Sequence, residues 1–202
     1  MIRKKRWFPS VYMFIITAFF STIVIGFTKF TRQRVEANQR LAFEKAVLSV
    51  LPNVSVDNVN IHSQFGTLIN EPTENTAGAY VYREDAGNPV YILPLSGQGF
   101  WAPIKGVIGI KADRQTITGI AFYEQNETPG LGAEITEEPF KKQFSGKIIE
   151  KNGKPLTVKR PGDQLGQSEV HAITGATQTS VRLEKIINTD VENWKKQLNK
   201  QS

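Results

Sequence analysis

The sequence predicts an α+β fold, in which one N-terminal transmembrane helix precedes a domain with a mostly antiparallel sheet and packed helices. Three observations predict this fold: an uncharged apolar run at residues 11–27, four later segments in which apolar residues alternate, and a final segment with apolar residues at helical spacing. We expect a membrane anchor at residues 1–30, a juxtamembrane helix at 31–53 and the main domain at 54–202.

The anchor is the segment VYMFIITAFFSTIVIGF, residues 11–27, which has 17 residues and no charge. With residues 7–10 and Thr28 it reaches about 20 residues, enough to cross a bilayer as a helix. Trp7, Phe8 and Tyr12 are placed as an interfacial aromatic belt. The alternative is a cleaved signal peptide, but the small-residue cleavage site is absent, so a retained anchor is predicted.

Positive charge is concentrated on either side of the apolar run of the anchor. Seven of the 25 basic residues and one of the 19 acidic residues lie in residues 1–36, which leaves 18 of each sign in the rest of the chain. A nucleic-acid-binding domain would carry an excess of bases, so nucleic acid is not an expected partner. The basic residues at 3–6 place the N-terminus in the cytoplasm. The expected location is the inner membrane, with a single pass and the main domain on the outer, periplasmic side.

After the anchor, residues 31–51 have apolar residues at steps of three and four, which predicts a helix ended by Pro52 and Asn53. The period then changes to two, which predicts strands at AYVYRE (79–84), PVYILP (89–94), GVIGIK (106–111) and TITGIAFY (116–123). Turns are expected at residues 85–88 and 113–115.

The last third of the chain alternates between short strands and helices. A short helix is expected at residues 137–144, begun by Thr136. GKIIE and PLTVKR predict a hairpin around Asn152 and Gly153. Residues 181–198 predict an amphipathic helix packed on the sheet. The alternative is a helix broken near Asn188, because Thr189 and Glu192 have capping-box spacing.

Residue types exclude several kinds of chemistry. The chain has no cysteine, so it has no disulfide, thiolate metal site or cysteine-ligated cluster. Its two histidines make a histidine metal site improbable, and we predict no metal. No catalytic triad, carboxylate pair or nucleophile–base pair is evident, which fits a carrier better than a hydrolase.

The segment HAITGATQTS, residues 171–180, lies between a strand-like stretch and the final helix. One interpretation is a helix start capped by Thr179 or Ser180, with no ligand. The other is an attachment point for a phosphate, because a helix N-terminus presents free N–H groups to anions and Gly175 permits a close backbone approach.

ITGATQTS resembles the flavin-attachment motif of the FMN-binding domain family, Asp-x-x-Ser/Thr-Gly-Ala-Thr. In that family a flavin transferase links FMN through its phosphate to the last threonine, which here is Thr177. Thr174, Gly175 and Ala176 match the preceding positions. The first position differs, because His171 replaces the aspartate; a histidine could act as a base or hydrogen-bond partner there, or be a surface residue.

A second stretch, FYEQNETPGLGAEI (122–135), resembles the C subunit of the sodium-translocating NADH–quinone reductases and the G subunit of Rnf complexes. The resemblance implies that this turn lies against the flavin ring, with polar contacts from Glu127 and Thr128, and Leu131 covering a face. Gly130 and Gly132 would permit close backbone approach.

A third stretch, SGQGFWAPIKGVIGI (96–110), is similar to the Gly-x-Gly-Leu-Trp segment of the same family. It leaves Trp101 as either a core aromatic or a neighbour of the flavin.

The resemblance implies a membrane-anchored electron carrier with covalent FMN in an ion-translocating reductase or Rnf-type complex. Its expected partners are other subunits of the redox complex, a flavin transferase during maturation, and membrane lipid. Two alternatives stay open: a stand-alone anchored FMN protein of another electron chain, and a ligand-binding or assembly module without redox activity.

Overall fold

The computed structural model describes residues 7–83, 88–151 and 153–201, and the chain divides into two compact units between Arg40 and Leu41. The first unit is the N-terminal part of helix α1 (Phe8–Ser49). By length and composition, α1 is the one helix in the described ranges that could cross a membrane. Hydroxyls of Thr22 and Thr28 donate to carbonyl oxygens one turn earlier, so these polar groups are satisfied inside the helix.

The predicted juxtamembrane helix is the continuation of α1, which ends at Ser49. The domain boundaries expected at residues 30 and 53 stay a prediction.

The described residues of the second unit form a five-stranded antiparallel sheet, a two-stranded parallel sheet, three further α-helices and three short 3-10 helices. Its elements are α2 (Ile61–Leu68), β1 (Ile69–Asn70), β2 (Tyr80–Arg83), β3 (Pro89–Gln98), β4 (Pro103–Ile110), β5 (Ile117–Glu124), α3 (Glu138–Lys141), β6 (Thr157–Lys159), β7 (Glu169–His171) and α4 (Thr177–Gln201). The large sheet has the order β1-β2-β3-β4-β5. The predicted α+β fold with a mostly antiparallel sheet is confirmed.

Both faces of the large sheet are buried. Successive side chains of a strand point to opposite faces, so each strand can contribute apolar residues to both sides of the sheet. Leu93 and Ile108 belong to a core cluster on the α4 side, whereas their neighbours Ile92 and Val107 belong to a second cluster. Apolar residues of α4 fill the first cluster: Leu183, Ile186, Ile187, Val191, Trp194 and Leu198. The end of α1 and α2 fill the second, through Ala46, Val47, Leu48, Ile61 and Phe65.

The predicted last helix is present as one continuous helix, and the alternative of a break near Asn188 is wrong. Its predicted start was too late, because α4 begins at Thr177 rather than at residue 181. The Asn188 side chain is buried, and its amide exchanges two hydrogen bonds of 2.8 Å with the backbone of Leu156. These bonds explain why a residue that often ends helices stands in the middle of this one.

The predicted hairpin around Gly153 is also wrong. GKIIE pairs instead with the start of β5, through an antiparallel bridge between Ile148 and Thr116. PLTVKR forms β6, which pairs in parallel with β7. Side chains of α4 hold β6 in place, because Glu184 accepts from Val158 N at 2.6 Å. Tertiary contacts therefore outweigh the local turn preference; Asn152 itself lies outside the described residues.

The remaining local predictions have mixed outcomes. A turn at 113–115 is present, with Asp113 accepting from Gln115 N and Thr116 N at 2.8 Å. The turn expected at 85–88 falls mostly outside the described residues. The short helix is present, but its N-cap is Glu137 rather than Thr136. The sequence patterns did not predict α2 or β1, which are short.

Candidate functional site

A cavity of about 370 Å³ lies where three segments meet: the loop after β3, the turn after β5 and the first turn of α4. It is lined by Phe100, Trp101, Glu127, Thr128, Leu131, Gly132, Gly175, Ala176, Thr177, Gln178 and Thr179. The three motifs singled out in the sequence are thus brought together around one space, although 52 residues separate Glu127 from Thr179 along the chain.

Glu127 joins these three segments. Its side chain is only 5% exposed. Oε1 accepts from the backbone N–H groups of Phe100 at 2.8 Å and Trp101 at 3.2 Å, and Oε2 accepts from the Thr179 hydroxyl at 2.7 Å. Because a buried carboxylate needs several donors, this arrangement fixes the β3 loop and the start of α4 relative to the turn.

Two glycines make room for the Glu127 carboxylate. A Cβ on Gly132 would lie 2.5 Å from Thr179 Oγ1 and 2.8 Å from Glu127 Oε2. A Cβ on Gly99 would lie 2.5 Å from Glu127 Oε1. Neither position can hold a side chain without displacing the carboxylate, so Gly132 of the turn and Gly99 of the β3 loop serve the same structural purpose.

Trp101 forms one wall of the cavity and is 65% exposed. Its indole Nε1–H donates to Thr128 Oγ1 at 3.2 Å, and its ring lies edge-on to Phe100 with centroids 4.8 Å apart. The interpretation of Trp101 as a core aromatic is therefore wrong. A large, accessible aromatic surface held by a hydrogen bond suits contact with a planar ligand.

Leu131 and Gly175 form another part of the wall. Leu131 is exposed, and its Cδ2 would lie 3.0 Å from a Cβ at residue 175. Gly175 has a φ of +78° and Gly130 a φ of +71°, both in the left-handed region that glycine favours. Gly130 turns the chain before Leu131, but it does not line the cavity.

Thr177 is the first residue of α4 and is exposed on the cavity wall. As at any helix N-terminus, the N–H groups of the first turn have no intrahelical acceptor and can bind an anion. Thr179 and Ser180 do not cap the helix: Thr179 donates to Glu127, and Ser180 Oγ accepts from Ile173 N at 3.1 Å. The capping interpretation of these two residues is wrong, because both lie inside the first turn.

His171 and Thr174 lie outside the residues that line the cavity. His171 is in β7, where its Nε2 is 2.9 Å from the carbonyl oxygen of Asp163 and its backbone N–H donates to Gln143 Oε1 at 2.8 Å. Thr174 is exposed in the turn before α4. In the structure, therefore, the last position of the motif, Thr177, lines the cavity, whereas the first position, His171, does not.

Sequence reasoning did not select three residues that line the cavity, namely Phe100, Gln178 and Thr179. It also missed Gly99, which is not part of the lining but leaves room for the Glu127 carboxylate. All four stand inside the quoted motifs, but their importance depends on which segments meet in the folded chain.

The site's chemistry fits a planar aromatic ligand that carries a phosphate. Aromatic and aliphatic side chains supply the walls, and the N-terminus of a 25-residue helix supplies free donors and a hydroxyl. Among the residues that the structure describes, no group of three or more acidic or histidine side chains could hold a metal ion.

Residues 99–192 match the model of the FMN-binding domain family. The matched range begins at Gly99 and covers the three segments that build the cavity, so the resemblance that the motifs suggested is confirmed for this part of the chain.

Two relatives that match this chain carry the same subunit name. The C subunit of the Na⁺-translocating NADH–quinone reductase of Chlamydia pneumoniae is 48% identical over 77 residues, 38% of this chain and 24% of that protein. Its counterpart in Vibrio vulnificus strain YJ016 is 36% identical over 109 residues, 52% of this chain and 43% of that protein. The chain thus matches less than half the length of these curated relatives.

A solved structure extends the likeness beyond the matched domain. The crystal structure of the C subunit of this reductase from Parabacteroides distasonis superposes with a TM-score of 0.69 and 29% identity, over 82% of this chain and 96% of that one. The two proteins therefore share their fold over most of this chain.

Proposed function

We propose that the chain is a membrane-anchored electron-carrier subunit that holds one FMN covalently, through a phosphoester to Thr177, in a Na⁺-translocating NADH–quinone reductase. The observation that carries the proposal is the Thr177 hydroxyl, exposed at the helix end that borders the cavity of an FMN-binding domain. The relatives named above favour this complex over an Rnf-type complex. Flavin accepts one or two electrons, and the protein supplies its position and electrostatic surroundings.

Attachment requires a flavin donor whose phosphate carries a good leaving group. The bond from Thr177 Oγ1 to phosphorus forms, the bond from phosphorus to the leaving group breaks, and the hydroxyl proton passes to a base. A phosphoanhydride donor supplied by a flavin transferase meets this need. Free N–H groups at the start of α4 would then stabilise the phosphate charge.

The flavin ring would lie in the cavity, between Trp101 and Leu131. The hydroxyl of Thr128 is a polar group on this wall, and it already accepts from the Trp101 indole. Glu127 would act through position rather than contact, because both of its oxygens accept bonds from the protein. Gly132 leaves the space in which that carboxylate lies.

His171 does not supply an evident base for attachment. Its ring is engaged with the Asp163 carbonyl and does not border the cavity. We propose that the base comes from the transferase or solvent, and that His171 holds the strand before the motif. Gly175 and Ala176 then carry the chain from β7 to Thr177.

The apolar part of α1 would anchor the subunit in the inner membrane, with the FMN-binding domain on the periplasmic side. The length and composition of the helix support the anchor. The basic residues before the helix support the orientation. Protease added to intact spheroplasts would digest the domain if the orientation is correct and would leave it whole if the domain is cytoplasmic.

Thr177→Ala tests the attachment. The variant loses the hydroxyl but keeps a small exposed side chain, so it should fold and carry no covalent flavin. Thr177→Ser is the matched control, because its hydroxyl remains and some flavin should attach. Flavin fluorescence on a denaturing gel decides: undiminished fluorescence in Thr177→Ala would move the attachment to another residue.

A further inference from the structure

A second cavity, of about 250 Å³, lies between the end of β3 and the middle of α4. It shares no lining residue with the cavity proposed for FMN, so it is a separate site. Its polar lining consists of Ser96, Gln98, Arg182, Lys185, Thr189 and Asp190. Three of the four α4 residues named here, at positions 182, 185 and 189, recur at steps of three and four and therefore share one helix face.

Arg182 lacks a partner on this face. Its Nε is buried, and it makes no hydrogen bond to any residue that the structure describes. The neighbours at helical spacing are Gln178, Thr179, Lys185 and Ile186, none of which is acidic. A buried donor of a charged group without an acceptor is costly, so this face favours a ligand that supplies an acceptor.

Lys185 adds a second positive charge to the same wall. It forms no ion pair within the described ranges, and at three residues from Arg182 it is a like-charge neighbour, which weakens a helix. The adjacent acid Glu184 faces elsewhere, since it binds Lys154 and accepts from Val158 N at 2.6 Å. Neither cation is therefore neutralised by Glu184.

Asp190 sets the charge that the cavity can accept. Burial raises the pKa of its carboxyl, while a 2.9 Å hydrogen bond from Ser96 N opposes that rise. The titratable side chains that face the cavity from α4 and β3 are two cations and this one acid. Two positive charges and one negative charge leave a net charge of +1, which a carboxylate with one negative charge matches. Dianionic phosphate would be repelled more strongly by Asp190.

We propose that this cavity binds a carboxylate group, with its oxygens accepting from the Arg182 guanidinium and its charge balanced by Lys185. The planar fork of arginine matches a carboxylate in geometry. The carboxylate can belong to a free organic acid or to an acidic side chain of a partner protein, and the same chemistry serves both.

The probe is acetate, added to the ¹⁵N-labelled full-length chain in detergent at constant ionic strength. The readout is the arginine Nε–Hε resonance that disappears in Arg182→Gln. We expect it to shift saturably, with a Kd of about 1–10 mM, as for one ion pair in a solvent-accessible site. No saturable shift up to about 100 mM would overturn the proposal, and so would tighter binding of phosphate than of acetate.

Matched variants separate a site from general charge effects. Lys185→Gln should weaken acetate binding at least threefold while the Arg182 resonance remains visible. If Arg182→Gln does not fold, that resonance is assigned by triple-resonance spectroscopy of the native chain, and Lys185→Gln carries the test. Lys200→Gln removes the same charge near the end of α4, outside the cavity, and should change nothing. Equal weakening in both lysine variants would overturn the proposal.

The source of the carboxylate is then tested with N-acetylglutamate amide, with N-acetylglutamine amide as the neutral control. Binding of the glutamate compound at least tenfold tighter than acetate supports a protein side chain as the occupant. Equal or weaker binding supports a free acid. Equal binding of the glutamine control would show that charge is not recognised and would contradict the proposal.

Discussion

Replacing Glu127 by alanine should destabilise the FMN-binding domain and empty its cofactor site together. The change removes the acceptor for Phe100 N, Trp101 N and the Thr179 hydroxyl, which are held at 2.8, 3.2 and 2.7 Å. The β3 loop and the start of α4 would then lose their common attachment. Both form walls of the cavity, so FMN content should fall with stability.

The size of the effect follows from the partners. A hydrogen bond to a charged group contributes about 1.5–3 kcal/mol, and a buried donor left without an acceptor costs about 1–3 kcal/mol. Phe100 and Trp101 are exposed, so water can replace part of the loss there, whereas Thr179 is buried. We expect a total of about 3–5 kcal/mol, or a fall of roughly 6–20 °C in the thermal midpoint for a unit of this size.

The assay is thermal unfolding of the full chain in detergent, followed by tryptophan fluorescence. Glu124→Ala is the matched control, because Glu124 lies three residues earlier and forms a 2.8 Å ion pair with Lys105, with both side chains about a third exposed. That pair should be worth at most about 1 kcal/mol. Equal shifts for the two variants would refute the role assigned to Glu127. Glu127→Gln, which keeps one oxygen acceptor, should fall between them.

Substitutions at four further positions test the cavity wall, the turn that forms it and the attachment motif. Leu131→Ala should admit water to the flavin and raise its midpoint potential by about 10–30 mV, because the charged reduced form becomes better solvated; an unchanged potential in a redox titration would show that the residue only shapes the turn. Gly132→Ala should lower the free energy of unfolding by about 1–3 kcal/mol, because its Cβ would meet Thr179 Oγ1 at 2.5 Å. Gly130→Ala has open space and is strained only by its φ of +71°. A larger loss of stability at 130 than at 132 in thermal unfolding would contradict this explanation. His171→Ala and His171→Asp should take up flavin from transferase and Mg²⁺ at the native rate if position 171 is only structural; faster loading of the aspartate variant would give this position a part in the chemistry.

Regular patterns made most of the fold predictable. The strands at 80–83, 89–98, 103–110 and 117–124 bury alternate residues on opposite faces, and a period of two records this directly in the sequence. The long apolar helix and the amphipathic last helix are equally visible. α2 has eight residues, too few for a reliable helical period.

The parallel pairing of β6 with β7 could not be predicted from local signals. An Asn-Gly pair favours a hairpin. The contacts of α4 that favour the pairing of β6 with β7 instead are visible only in the folded structure. Glu184 and Asn188 bind the backbone of Val158 and Leu156 across 26 and 32 residues. Such distant hydrogen bonds leave no periodic trace in the sequence.

The candidate site was predictable as a set of motifs but not as a mechanism. Motif resemblance selected Trp101, Glu127 and Thr177, and the fold brings all three to one cavity. It also implied a polar contact between Glu127 and the flavin, which stays a prediction, but it gave no sign that this carboxylate accepts hydrogen bonds from Thr179 and the β3 loop. Hydrogen bonding of a buried carboxylate depends on which segments meet, and that is a property of the folded chain.

The covalent link is the central claim, and the intact mass of the chain produced in its native host tests it most directly. The proposed phosphoester predicts a mass higher by that of FMN less one water, with the added mass on the peptide that contains Thr177. An unmodified chain, or an added mass on any other residue, would contradict the claim.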